Sequence, residues 1–135
     1  MATRVVFDTN ILISALLSLN GAPFRCVALA YTGAVRSVTC AEILDEFDEK
    51  LRTKFAFDAT RASLAADKIR QCSEVVSISG LLNAVAQDPD DDIVIEGAVV
   101  GKASVIISGD KHLRALGHYQ DISILTASDF LATET

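Results

Sequence analysis

The sequence predicts an α/β fold, with a mostly parallel central sheet flanked by helices on both sides, in one domain spanning residues 1–135. Two observations carry this expectation. Short β-branched runs alternate with longer segments of helical periodicity, as in βαβ units, whose strands are parallel. Two of those runs, Arg4-Val5-Val6-Phe7 and Ser104-Val105-Ile106-Ile107, each lead within a few residues to an aspartate and then a helix. The length suits a single core, and a chain half of whose residues are hydrophobic is not disordered.

The first strand is expected over residues 4–7, where consecutive apolar residues mark burial on both faces. A helix follows over residues 10–19 and stops at Asn20-Gly21. Pro23 opens the next helix, which runs to Tyr31 and ends at Gly33. Residues 34–38 form the second strand. Ile43, Leu44, Phe47 and Leu51 fall on one face of a helix from about Cys40 to Thr53. Asp58 can cap another, running to about Cys72. A third strand is expected over residues 74–78, and a loop from Asn83 enters a helix over residues 91–100 that Gly101 ends. The fourth strand covers residues 104–107, a short helix residues 111–116, a last strand residues 122–125, and a closing helical turn residues 127–132.

Composition narrows the function. A net charge of −6 excludes general coating of nucleic acid through overall charge. Contact with a polyanion must come from a local basic patch or through metal ions. Cys26, Cys40 and Cys72 are odd in number and widely spaced, so they read as small buried residues in a reducing compartment. The apolar run from Ile11 to Leu19 is too short to span a bilayer and is approached by Asp8 and Asn10; it reads as a buried helix, not a signal sequence. A cytoplasmic protein with no membrane partner is expected.

The carboxylates are the informative side chains. In open parallel sheets the C-terminal strand ends are where ligands bind. Asp8 and Asp110 follow two such ends, and two carboxylates on one edge repel each other unless a cation lies between them. That points to a divalent metal site. A third source of acids is Asp88-Pro89-Asp90-Asp91-Asp92, at a helix start where the macrodipole favours negative charge. Asp91 shares a helical side with Ile95 and Ala98, whereas Asp92 aligns with Glu96. Asp91 is therefore the first candidate and Asp92 the second. On the helix after Cys40, Glu46 borders one edge of the apolar stripe and Asp48 the other, and periodicity does not separate them.

Asp8-Thr9-Asn10 after a strand, Glu46 within Cys40-Ala41-Glu42-Ile43-Leu44-Asp45-Glu46, the run 88–92 and Ser108-Gly109-Asp110 together resemble the landmarks of PIN domains. The resemblance is to the bacterial branch of VapC-like ribonucleases, the toxins of toxin–antitoxin pairs, and it extends from Arg4 to about Phe130. It implies a single PIN-like nuclease domain over residues 1–135. It also implies an acidic tetrad at Asp8, Glu46, Asp91 and Asp110, with Asn10 and Ser108 orienting ligands around it and Asp92 beside it. The implied activity is cleavage of RNA with one or two Mg²⁺ or Mn²⁺ ions, and the implied partners are an antitoxin and a second copy of the chain. The chain departs from related sequences at Val85-Ala86-Gln87, where a basic residue or a cysteine is common.

Six of the twelve lysines and arginines fall between positions 50 and 70: Lys50, Arg52, Lys54, Arg61, Lys68 and Arg70. Lys50, Arg52 and Lys54 are candidate RNA contacts, as are Arg36, Lys111 and Arg114 near strand ends. Neither His112 nor His118 adjoins a serine or cysteine nucleophile, and no phosphate-binding glycine loop occurs. A phospho-receiver would need an acidic pair after the first strand, and an aspartyl phosphatase would need an aspartate where Asn10 stands. A non-catalytic PIN-like module that binds metal or RNA is the remaining alternative.

Overall fold

The computed structural model describes residues 2–82 and 89–134. Asp88 and the Val85-Ala86-Gln87 departure lie outside the described residues. Six strands, β1 (Thr3–Phe7), β2 (Val35–Cys40), β3 (Ser73–Val76), β4 (Val105–Ile107), β5 (His118–Tyr119) and β6 (Ile122–Leu125), form one sheet in the order β3-β2-β1-β4-β6-β5. All pairings are parallel except β5 with β6.

Seven helices lie between and after the strands: α1 (Thr9–Leu17), α2 (Ala22–Tyr31), α3 (Ala41–Lys54), α4 (Ala59–Gln71), α5 (Pro89–Val100), α6 (Lys111–Leu116) and α7 (Ala127–Thr133). From β1 the chain steps outward to β2 and β3, then returns past β1 to β4 and β6. Right-handed crossovers in opposite directions put helices on opposite faces. Both faces are indeed covered: consecutive residues Val5, Val6 and Phe7 are buried, as are Ile106 and Ile107. The expected α/β architecture with a mostly parallel sheet is therefore what the chain adopts.

Local departures have physical reasons. α5 starts at Pro89, two residues before the expected Asp91, because proline is pre-set for the first helical turn. β2 continues to Cys40, past the expected Val38, since Ser37, Thr39 and Cys40 are buried and paired with β3. β5 was not expected; two residues carry no readable period. Gly117, at φ +74, makes the turn that lets His118 and Tyr119 run back along β6. Asp58 caps α4 as anticipated, accepting from the Arg61 N–H at 2.8 Å.

All three cysteines are free thiols. Burial pushes Cys26 and Cys40 up to about 11, which makes them unreactive packing residues. Among the described residues no single helix is long and apolar enough to cross a membrane.

Gly101 closes α5 against β2 at a point with no space for a side chain: an added Cβ would run into Val38 Cγ1 and stand 3.0 Å from the Gly97 carbonyl. Arg4 Nε also donates to the Gly101 carbonyl at 2.9 Å, fixing the backbone there. Gly101→Ala should therefore destabilise the fold by about 1–3 kcal/mol, the range for overpacking. A thermal melt should show the midpoint several degrees below wild type; an unchanged midpoint would mean that the α5–β2 contact yields freely.

Candidate active site

The pairing of β1 with β4 sets the site. Phe7 is in register with Ile107, and the Asp8 N–H donates to the Ile107 carbonyl at 3.0 Å. Asp8 thus leaves the C-terminal end of β1 beside Ser108. Ser108 is fully buried, and its hydroxyl donates to Asp8 Oδ2 at 2.7 Å. Ser108 Oγ also accepts from the Asp110 N–H at 3.0 Å. One serine, 100 positions from Asp8 in sequence, therefore ties the two acids together. Asp110 caps α6: its Oδ1 accepts from the N–H groups of His112 and Leu113 at 2.8 and 3.1 Å.

Asp8 is 7 % exposed. Burial raises its pKa above the ordinary carboxylate value, and the charge of Asp110 adds to the rise. The bond from Ser108, the Thr9 backbone N–H and the charge of Lys50 oppose it. The carboxylate is thus held ready and hydrogen-bonded, but its charge is only partly compensated.

Beside this edge a cleft of about 500 Å³ opens between α3 and α5, with Thr9, Glu46, Lys50, Lys54 and Asp90 in its lining. Lys50 Nζ lies 3.9 Å from Glu46 Oε1 and 3.5 Å from Asn10 Oδ1. α5 packs on β1, β2 and β4, which carries its first turn to the same region. There Asp91 is 5 % exposed, and Asp92 is buried as well, so burial does not separate the two.

A family model described as PIN domain matches residues 4–112. The chain belongs to the PIN-domain family. It is 33 % identical over 118 residues to the uncharacterised protein MJ1680 of Methanocaldococcus jannaschii, covering 84 % of this chain and 74 % of that one. Its fold is similar to a chain in the crystal structure of VapBC2 from Rickettsia felis bound to a DNA fragment from their promoter, with a TM-score of 0.65 at 14 % identity over 90 % of this chain and 97 % of that one. It is also similar to PAE2754 from Pyrobaculum aerophilum, with a TM-score of 0.63 at 14 % identity over 99 % and 98 %.

Within this PIN domain Glu46 and Asp48 stand in different surroundings. Glu46 lines the cleft, whereas Asp48 faces away and accepts from both Arg52 Nε and Nη2, at 3.2 and 3.0 Å. That pair accounts for Arg52 too, which is an exposed helix partner and not a cleft residue. Asp92 is buried but lines a separate cavity of about 180 Å³, with Glu42, Gly80 and Glu96. Asn10 is exposed and held by Lys50. Lys111 and Arg114 are exposed on α6, next to the Asp110 cap.

Arg36 requires a correction. It is in register with Arg4 near the start of β2, so it sits at the N-terminal edge of the sheet. Four residues of strand, about 13 Å, separate it from the edge that carries Asp8. Lying near a strand end is not enough; the end must be the C-terminal one.

Two residues escaped the sequence reading. Glu96 accepts from the Ser79 N–H at 2.6 Å, the Ser79 hydroxyl at 2.7 Å and the Gly80 N–H at 3.1 Å. The Ser79 bonds hold its pKa below the usual value, and the carboxylate clamps the segment after β3 onto α5. Thr9 is the other. It is 1 % exposed and lines the cleft, and its Oγ1 has no hydrogen-bond partner.

Among the described residues no three carboxylate, histidine or cysteine side chains are gathered as a metal-binding group. The donor chemistry nonetheless fits Mg²⁺ or Mn²⁺: hard carboxylate oxygens, a buried Asp8 whose charge lacks full compensation, and an unused hydroxyl at Thr9.

A raised Asp8 pKa has a sign that can be tested. The folded protein holds that proton more tightly than the unfolded chain. The contribution to stability is fully present below the unfolded value, about 3.9, and is lost as pH rises through the folded value. Asp8→Asn should therefore melt a few degrees, about 2–4 °C, above wild type at pH 7 in EDTA. The gap should close below about pH 4. A variant that melts well below wild type at pH 7 would show that the Asp8 charge supports the fold.

Proposed function

We propose that this PIN domain is a Mg²⁺- or Mn²⁺-dependent ribonuclease and the toxin of a toxin–antitoxin pair. PIN domains are in general nucleases, which supports a phosphodiester hydrolase. The observation that carries the reading is the Asp8–Ser108–Asp110 arrangement at the sheet's C-terminal edge, beside the cleft that holds Glu46.

In this reading Asp8 and Asp110 hold the ion, and Asp91 and Glu46 complete its surroundings or hold a second. A bound cation would activate water and offset charge on the phosphate. Ser108 keeps Asp8 oriented by donating to Oδ2. Asn10 acts on Lys50, which stands between Glu46 and Asp8. Lys50 and Lys54 are the cations of the cleft lining and would meet the phosphate backbone in a chain that otherwise repels it.

An antitoxin partner is supported by the likeness to a chain of VapBC2 and by an apolar groove of about 360 Å³ between α1, α2 and α4, with the exposed Leu16, Leu19 and Tyr31 on its wall. Co-purification with the product of an adjacent reading frame tests that part.

Cleavage of single-stranded RNA by purified protein should require Mn²⁺ or Mg²⁺, stop in EDTA and return when Mn²⁺ is restored. Asp8→Asn, Asp110→Asn and Glu46→Gln should each reduce the rate about 10²-fold or more. Asp48→Asn should leave it near wild type, and Asp91→Asn should cost more than Asp92→Asn. Full activity in EDTA, or half the wild-type rate in either Asp8→Asn or Asp110→Asn, would remove the proposed site.

A further inference from the structure

Thr9 sits at the first position of α1, directly after Asp8. A threonine inside a helix ordinarily satisfies its hydroxyl on the carbonyl three or four residues back. For Thr9 those residues are Val6 and Val5, which belong to β1, and their carbonyls serve the sheet. The hydroxyl is therefore buried with no partner, an arrangement that costs stability unless a ligand completes it. The neighbouring hydroxyl, Ser108, is by contrast satisfied: it donates to Asp8 and accepts from the Asp110 N–H. The Thr9 backbone N–H also faces the Asp8 carboxylate, which fixes the residue beside that acid. Thr9 lines the cleft shared with Glu46 and Asp90.

We infer that Thr9 Oγ1 is a further positioning group of this site, holding a water in the hydration shell of the divalent cation bound at Asp8. Mg²⁺ keeps several waters when carboxylates bind it, so a hydroxyl at the margin of such a site meets a water and not the ion. The hydroxyl accepts from that water. The inference rests on the metal-dependent reading above.

Thr39 supplies an internal comparison. It is equally buried, at 2 % exposure, and its Oγ1 also lacks a partner, but it lies on β2 and is absent from the cleft lining. The test uses wild type, Thr9→Val, Thr9→Ser, Thr39→Val and Asp8→Asn. In EDTA both valine variants should melt at or above wild type, since neither loses a bond. In a Mn²⁺ titration without RNA, followed calorimetrically, Thr9→Val should bind about 10-fold more weakly, the scale for losing a group that orients ligands. Thr9→Ser and Thr39→Val should bind as wild type does.

A Thr9→Val protein that melts well below wild type in EDTA overturns the inference, because the hydroxyl then has a structural partner. Wild-type Mn²⁺ affinity in Thr9→Val overturns it also, and if Asp8→Asn is weakened in the same series the functional reading survives alone. If wild type binds no Mn²⁺, or Asp8→Asn binds it unchanged, the metal reading itself fails and takes the Thr9 role with it.

Discussion

Everything at the candidate site depends on β1 lying against β4. The two strands are separated by almost the whole length of the chain, yet Val5, Val6 and Phe7 pair in register with Val105, Ile106 and Ile107. This is also where the strand order reverses, with β2 and β3 on one side and β6 and β5 on the other. At such a reversal the loops after the two strands diverge to opposite faces and leave a crevice. Asp8 and Ser108 occupy its two lips. A sheet that ran on in sequence order would have put β4 beside β3, and Ser108 would not reach Asp8.

The sheet is polar in its charge as well as its direction. At the N-terminal edge Arg4 bonds to the Gly101 carbonyl and pairs with Glu74, and Arg36 lies beside it in register. At the C-terminal edge stand Asp8 and Asp110, with the acidic first turn of α5 packed nearby. Among the described residues Lys50 brings a positive charge to that edge: it lowers the pKa of Asp8, and its ammonium lies near Glu46 and Asn10. It offsets the acids only in part, since burial still dominates at Asp8. The protein tolerates a locally unfavourable charge in a fold otherwise built on an apolar core, as functional sites commonly do.

What was legible in the sequence was what period and strand ends encode. The apolar runs of β1 and β4 announced burial on both faces, and the aspartates after them announced the edge. The burial of Asp91 was legible from its spacing to Ile95 and Ala98, whereas the burial of Asp92 and Glu96 on the neighbouring side was not. Glu46 and Asp48 were not separable by the apolar stripe, although the decisive fact was present in sequence: Arg52 stands four residues after Asp48 and claims it. Arg36 was misplaced because a position near a strand end carries no information until the strand's direction is known. Glu96 was invisible because its partners, Ser79 and Gly80, lie in a loop with no periodicity of its own. The second strand ran longer than expected because Thr39 and Cys40 are read as polar and small, whereas the neighbouring strand decides their burial.

The two aspartates tied by Ser108 are not equivalent, and the difference bears on how the site is made. Asp110 satisfies two backbone N–H groups at the start of α6, so its carboxylate has a structural task whether or not anything is bound. A negative group there is favoured by the helix terminus. Asp8 makes no such capping bond to α1: what holds it is the single hydroxyl of Ser108 together with the adjacent N–H of Thr9. One acid is therefore anchored by the fold and the other is held against it at a cost. Ser108 links them so that any ligand relieving the charge on Asp8 is also positioned relative to the rigid start of α6. In the proposed metal-dependent reading, the orientation of the pair would come from Asp110 and the driving force for binding a cation from Asp8.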